Sequence, residues 1–126
     1  MKLLLAIACG GALGALARHK VGSIAMHLFG TGFPYGTITV NIVGSFLLGL
    51  LAGGLAFKFS LPLEVRAFLM VGFCGAFTTF STFALDFATL TERGNLMLAG
   101  FYVALSVAGA IIAMFGGLAV MRGLFA

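Results

Sequence analysis

Charge is what this sequence has least of: among 126 residues, seven are Lys or Arg and three are Asp or Glu, 8% together. A soluble domain carries about 25% charged residues, because most side chains of a small fold face water. Such a chain cannot cover an aqueous surface, and a soluble enzyme is excluded. Cysteine is scarce too. Cys9 and Cys74 sit far apart in apolar runs without neighbouring His or Asp, which argues against a disulfide or thiolate metal site and leaves them as small packing residues. The net charge of +4 is too small and too scattered for nucleic acid, though it suits weak attraction to anionic lipid headgroups.

Oil and glycine fill the remainder. Hydrophobic residues make up 62% of the chain, there are 19 glycines, and the mean hydropathy is +1.22. The charged residues bound long uncharged runs, Val21 to Phe57, Ala67 to Leu85 and Gly94 to Met121. Each is near or beyond the ~20 residues that a helix rising ~1.5 Å per residue needs to cross a ~30 Å hydrocarbon core. An all-α membrane protein with four transmembrane helices follows, at roughly 3–28, 37–57, 63–91 and 96–125. Gly30, Gly32, Pro34 and Gly36 mark the first turn, Pro62 the second and Gly94 the third. The whole chain, 1–126, then reads as a single transmembrane domain. Lys2 before Leu3 to Ala8, with Ala15-Leu16-Ala17 behind, has the look of a cleavable signal; the first span is expected to stay, since an even count of crossings needs it.

With the N-terminus in the cytoplasm, Lys2, Lys58, Arg66 and Arg122 lie on that side and Arg18, Lys20 and Arg93 on the other. Four against three gives almost no orientation preference, so the chain can insert both ways and pair about an axis in the membrane plane. Small residues recur every four positions, as Ala6, Gly10 and Gly14 in the first span and Gly109, Ala113 and Gly117 in the fourth, and permit close helix packing.

Polar residues inside the spans are more telling. Thr37, Asn41, Ser45, Gly49 and Gly53 share one face of the second helix. An amide in lipid costs several kcal/mol unless partnered, so Asn41 must face protein, water or a ligand. The third span carries Thr78-Thr79-Phe80-Ser81-Thr82-Phe83 after Gly72 and Gly75. Four hydroxyls in five residues compete for backbone hydrogen bonds, and the third helix is expected to break near its middle, between Gly75 and Thr79. Freed carbonyls there suit a cation, and freed amides or hydroxyls an anion. Phe73, Phe77, Phe80, Phe83 and Phe87 follow helical spacing and are expected to form one continuous stripe. Ring edges carry partial positive charge. Beside hydroxyl and amide donors, and without carboxylates, they suit a small, partly dehydrated anion.

At these residues the chain resembles the small fluoride channels of the CrcB/Fluc family. The resemblance rests on Gly36-Thr37-Ile38-Thr39-Val40-Asn41, on Gly75 followed by the Thr78 to Phe83 run, and on Arg18 after a glycine-rich first helix. It implies a multi-pass protein of the bacterial plasma (inner) membrane, not an enzyme. It further implies an antiparallel dual-topology homodimer with two pores that exports fluoride passively and limits its toxicity. By the same resemblance Asn41 is the pore amide, Phe80 and Phe83 the ring pair facing the ion, and Ser81, Thr82, Tyr102 and Ser106 line or flank the route. Arg18 is the vestibule arginine. A structural sodium ion, not transported, is implied on the backbone carbonyls of Gly75 and Thr78. Ala110 stands where some members have a second serine. Asp86 stands where Glu is usual, with its partner left open between a basic residue and a helix amino end. The rival reading is a proton-coupled exporter of the small multidrug resistance type. It needs a carboxylate near the membrane midplane, and the first two spans hold none.

Overall fold

The computed structural model describes all of residues 1–126. Helix α1 (Lys2–Phe29) ends at Gly30, whose φ of 78° lets its N–H turn back to the Met26 carbonyl at 2.9 Å. Helix α2 (Tyr35–Phe57) starts directly after Pro34, which fixes φ and gives up a hydrogen the first turn does not need. The third span is assembled from pieces: α3 (Leu63–Arg66), a π-helical segment (Ala67–Cys74), α4 (Gly75–Phe77) and α5 (Ser81–Glu92). Gly94, at φ 81°, closes the next turn before α6 (Leu96–Phe125).

Four helical stretches are long and apolar enough to cross a membrane, Lys2–Phe29, Tyr35–Phe57, Leu63–Glu92 and Leu96–Phe125. They depart from the sequence-based bounds by two residues at most. Only 18 of 126 residues are buried, while Met97 is 90% and Ile112 69% exposed, so apolar side chains point outward as a lipid solvent requires.

Glycine decides which helices touch. A Cβ at Gly49 would meet the Met114 carbonyl and come within 3.2 Å of Gly117 Cα, so α2 and α6 run parallel with backbone against backbone. Likewise a Cβ at Gly72 would stand 2.7 Å from the Ile7 carbonyl oxygen and 2.9 Å from Gly10 Cα, and α1 presses on the π-helical segment. In lipid this close van der Waals approach is the main attraction between helices. The third span changes neighbours along its length. Its first half packs on α1, whereas α5 packs on α6. The crossing from one partner to the other falls between Phe77 and Ser81.

Candidate functional site

Thr78 leaves helical geometry with φ −87° and ψ 160°, and helix resumes only at Ser81. Its own groups turn back: the Thr78 amide and hydroxyl both donate to the Cys74 carbonyl, at 3.1 and 2.9 Å. Each backbone group freed in lipid without a partner costs several kcal/mol, so the destinations of the others define the site. Asn41 reaches across from α2 and brackets the Thr79 peptide. The Thr79 N–H donates to Asn41 Oδ1 at 2.7 Å, and Asn41 Nδ2 donates to the Thr79 carbonyl at 3.0 Å. Arg18 of α1 donates from Nε to the Ala76 carbonyl at 2.9 Å. The Thr79 hydroxyl accepts from the Thr82 N–H at 3.2 Å and so caps the start of α5. Three carbonyls, those of Gly75, Phe77 and Thr78, accept no hydrogen bond within the chain. Gly44 makes room for all this, since a Cβ there would run into the Thr78 methyl group and approach the Phe77 ring.

Two hollows adjoin the interruption. The smaller, about 300 Å³, is lined by Asn41, Ser45, Thr79, Phe80, Phe83 and Ser106, among others, and holds no carboxylate. Phe80 and Phe83 stand 5.6 Å apart with their rings tilted by 40°. Ser106 is 5% exposed, and its buried hydroxyl has no hydrogen-bond partner. A buried hydroxyl costs free energy when unpaired, so a polar occupant of this hollow is favoured. One Nδ2 hydrogen of Asn41 serves Thr79, and the amide has a second to offer. The larger hollow, about 690 Å³, contains Arg18, His19, Thr82, Asp86 and Arg93. Thr79 lines both.

Residues 5–118 match the family model described as "CrcB-like protein, Camphor Resistance (CrcB)". The chain belongs to this CrcB family. It is 50% identical over 119 residues to a protein of Agrobacterium fabrum named "Fluoride-specific ion channel FluC", covering 94% of this chain and 95% of that one. It is also 50% identical over 122 residues to a protein of the same name from Rhodospirillum centenum, covering 97% of each. A third of that name, from Rhizobium johnstonii, is 48% identical over 118 residues, 94% of each. This CrcB chain is a multi-pass integral membrane protein.

Among the residues singled out from the sequence, Asn41, Phe80, Phe83 and Ser106 come together on the smaller hollow, and Arg18 and Thr82 on the larger. Two do not join them. Tyr102 is wholly buried and lines neither, and Ser81 is exposed with its Oγ 3.5 Å from that of Thr79. Asp86 takes neither of the partners left open for it: the Tyr102 hydroxyl donates to its Oδ2 at 2.9 Å. The phenylalanines form no single stripe. Phe73 and Phe77 stack at 5.7 Å, Phe80 pairs with Phe83, and Phe77 is buried while Phe80 is 80% exposed, because the extended Thr78 resets the helical register between them. Sequence reasoning did not single out Thr79 as the residue common to both hollows. Its signal was its place in the hydroxyl run, directly after the expected break.

Proposed function

We propose that this protein is a passive, fluoride-selective channel that lets fluoride leave the bacterial cytoplasm across the inner membrane and so limits its toxicity. The observation that carries this reading is the acid-free hollow lined by Asn41, Phe80, Phe83 and Ser106, the last with a buried hydroxyl that has no hydrogen-bond partner. Relatives at 50% identity over nearly the whole chain are named fluoride-specific ion channels. Fluoride, small and strongly hydrated, exchanges water for the Ser106 hydroxyl, the spare Asn41 N–H and the ring edges, groups fixed in place before the ion arrives. Arg18 and Arg93 in the larger hollow raise the local anion concentration. Thr82 flanks the approach from that hollow, and Ser81 borders the interruption on its outer side. Tyr102 acts at one remove, by donating a hydrogen bond to Asp86 on the wall of the larger hollow.

Two chains inserted in opposite senses form the working dimer, a reading supported by the near balance of four basic residues against three across the membrane. The third span's break is its meeting point. Gly75 is exposed on the single chain, with nothing nearer its would-be Cβ than the Met70 carbonyl at 3.8 Å. The unclaimed Gly75 and Thr78 carbonyls are hard oxygen donors of the kind that unwound membrane helices offer to sodium. They would hold a structural sodium ion, which supplies positive charge beside the break.

The test is fluoride efflux from sealed liposomes containing the purified protein. The wild type is expected to empty them. The Asn41→Asp variant keeps an acceptor for the Thr79 N–H but replaces both amide donors with a buried negative charge, and its flux is expected to fall by at least about a hundredfold. Wild-type vesicles that retain fluoride contradict the channel, and unchanged flux in Asn41→Asp removes that amide from the route.

A further inference from the structure

The two ends of the bundle differ in charge. The end that carries the start of α1, the α2–α3 turn and the close of α6 holds four basic residues, Lys2, Lys58, Arg66 and Arg122, against one acid, Glu64, a formal +3. The opposite end holds Arg18, Lys20 and Arg93 against Asp86 and Glu92, a formal +1. At the first end two cations are seated on aromatic rings. Lys58 Nζ stands 5.7 Å from the centre of the Phe125 ring, and the Arg122 guanidinium 5.8 Å from that of Phe57. Phe59 meets Phe125 edge-on at 5.8 Å.

This cluster is held in shape by the chain after α2. The N–H groups of Lys58 and Phe59 both donate to the Gly54 carbonyl, at 2.8 and 2.5 Å, and the turn folds the Phe59 ring over Gly54, where a Cβ would stand 2.5 Å from it. Because α2 and α6 run parallel, both carboxyl ends close here, and the negative ends of their dipoles draw Lys58 and Arg122 inward. Neither cation has a carboxylate partner in the chain. Phe57, Phe59 and Phe125 remain 37%, 43% and 38% exposed, an apolar floor where two spans reach the membrane surface. Fixed cations above such rings match a phospholipid that carries net negative charge: the phosphate accepts hydrogen bonds from Lys58 and Arg122 while the glycerol and upper acyl chain lie on the phenylalanines.

We propose that Lys58 and Arg122, seated on Phe125 and Phe57, form a binding site for the headgroup of an anionic phospholipid. In a dimer of oppositely inserted chains, one such site faces each leaflet. The probe is phosphatidylglycerol against phosphatidylcholine, offered in equal amounts in detergent micelles to the full-length protein, with bound lipid read by mass spectrometry of the intact assembly. The wild type is expected to retain phosphatidylglycerol in preference. Each cation near an anionic headgroup is worth about fivefold, so Lys58→Gln with Arg122→Gln is expected to lower the bound ratio roughly 25-fold. Exchanging the two cations, Lys58→Arg with Arg122→Lys, preserves the charge and is expected to preserve the ratio. Lys20→Gln, at the opposite end, is expected to leave it unchanged. An unaltered ratio in the double Gln variant, an equal fall in Lys20→Gln, or displacement of the lipid by inorganic phosphate at the concentration at which phosphatidylglycerol itself competes would overturn the assignment.

Discussion

Before Thr78 the third span lies against α1 with backbone touching backbone at Gly10, Gly14 and Gly72, whereas after Phe80 it meets α6 through side chains, with Leu90, Ala99 and Tyr102 as a small core. At Gly72 the first half has no room for a methyl group, and neither hollow reaches its π-helical segment. The second half contributes Phe83 and Thr82 to the hollows and places Asp86 under Tyr102. One half is an anchor that fixes where the chain breaks. The other presents the polar groups that line the hollows, so tight packing and polar lining fall to different residues of a single span.

The largest expected effect comes from attacking the anchor. In Gly72→Val the new side chain meets the Ile7 carbonyl and Gly10, backbone that cannot swing aside, and such overpacking costs about 1–3 kcal/mol or more. The folded, monodisperse yield in size-exclusion chromatography should collapse. Normal yield would show that the α1 contact is looser than described. Gly75→Leu provides the contrast, because the same span is open at that position within one chain. The single chain should fold with unchanged helix content in circular dichroism, yet fail to pair, as read by chemical cross-linking. Wild-type cross-linking in Gly75→Leu would place the dimer interface elsewhere.

On the polar half, Ser106→Ala separates conduction from stability. The hydroxyl has no partner to lose, so the melting temperature should hold or rise slightly, while fluoride flux should fall about tenfold for one lost ion contact. A lower melting temperature with full flux would reverse the assignment. Tyr102→Phe should do the opposite. Removing the donor to Asp86 costs about 1–3 kcal/mol of stability, and flux should change less than in Ser106→Ala because Tyr102 lines neither hollow.

How much of this the sequence discloses depends on the range of the interaction. Span limits are local: Gly30 and Gly94, with positive φ, end helices and Pro34 and Pro62 precede helix starts, each by its own backbone chemistry, and charged residues mark the water-facing ends. The extended Thr78 is local as well, because hydroxyls crowd that one stretch. What answers the interruption is not. Asn41 and Thr79 are 38 residues apart and Arg18 and Ala76 are 58 apart, and no spacing rule links either pair. The Asp86–Tyr102 bond is of the same kind, joining adjacent helices through a registry that only packing sets. The phenylalanine spacing misleads because a helical period holds only while the helix is unbroken.

The central claim is that the acid-free hollow between Asn41, the Phe80–Phe83 rings and Ser106 passes fluoride and excludes larger halides. It is tested most directly by loading sealed vesicles that contain the purified wild-type protein with fluoride and chloride together and reading both with ion-selective electrodes. Rapid loss of fluoride with chloride retained is the expected result, and equal rates for the two ions would contradict it.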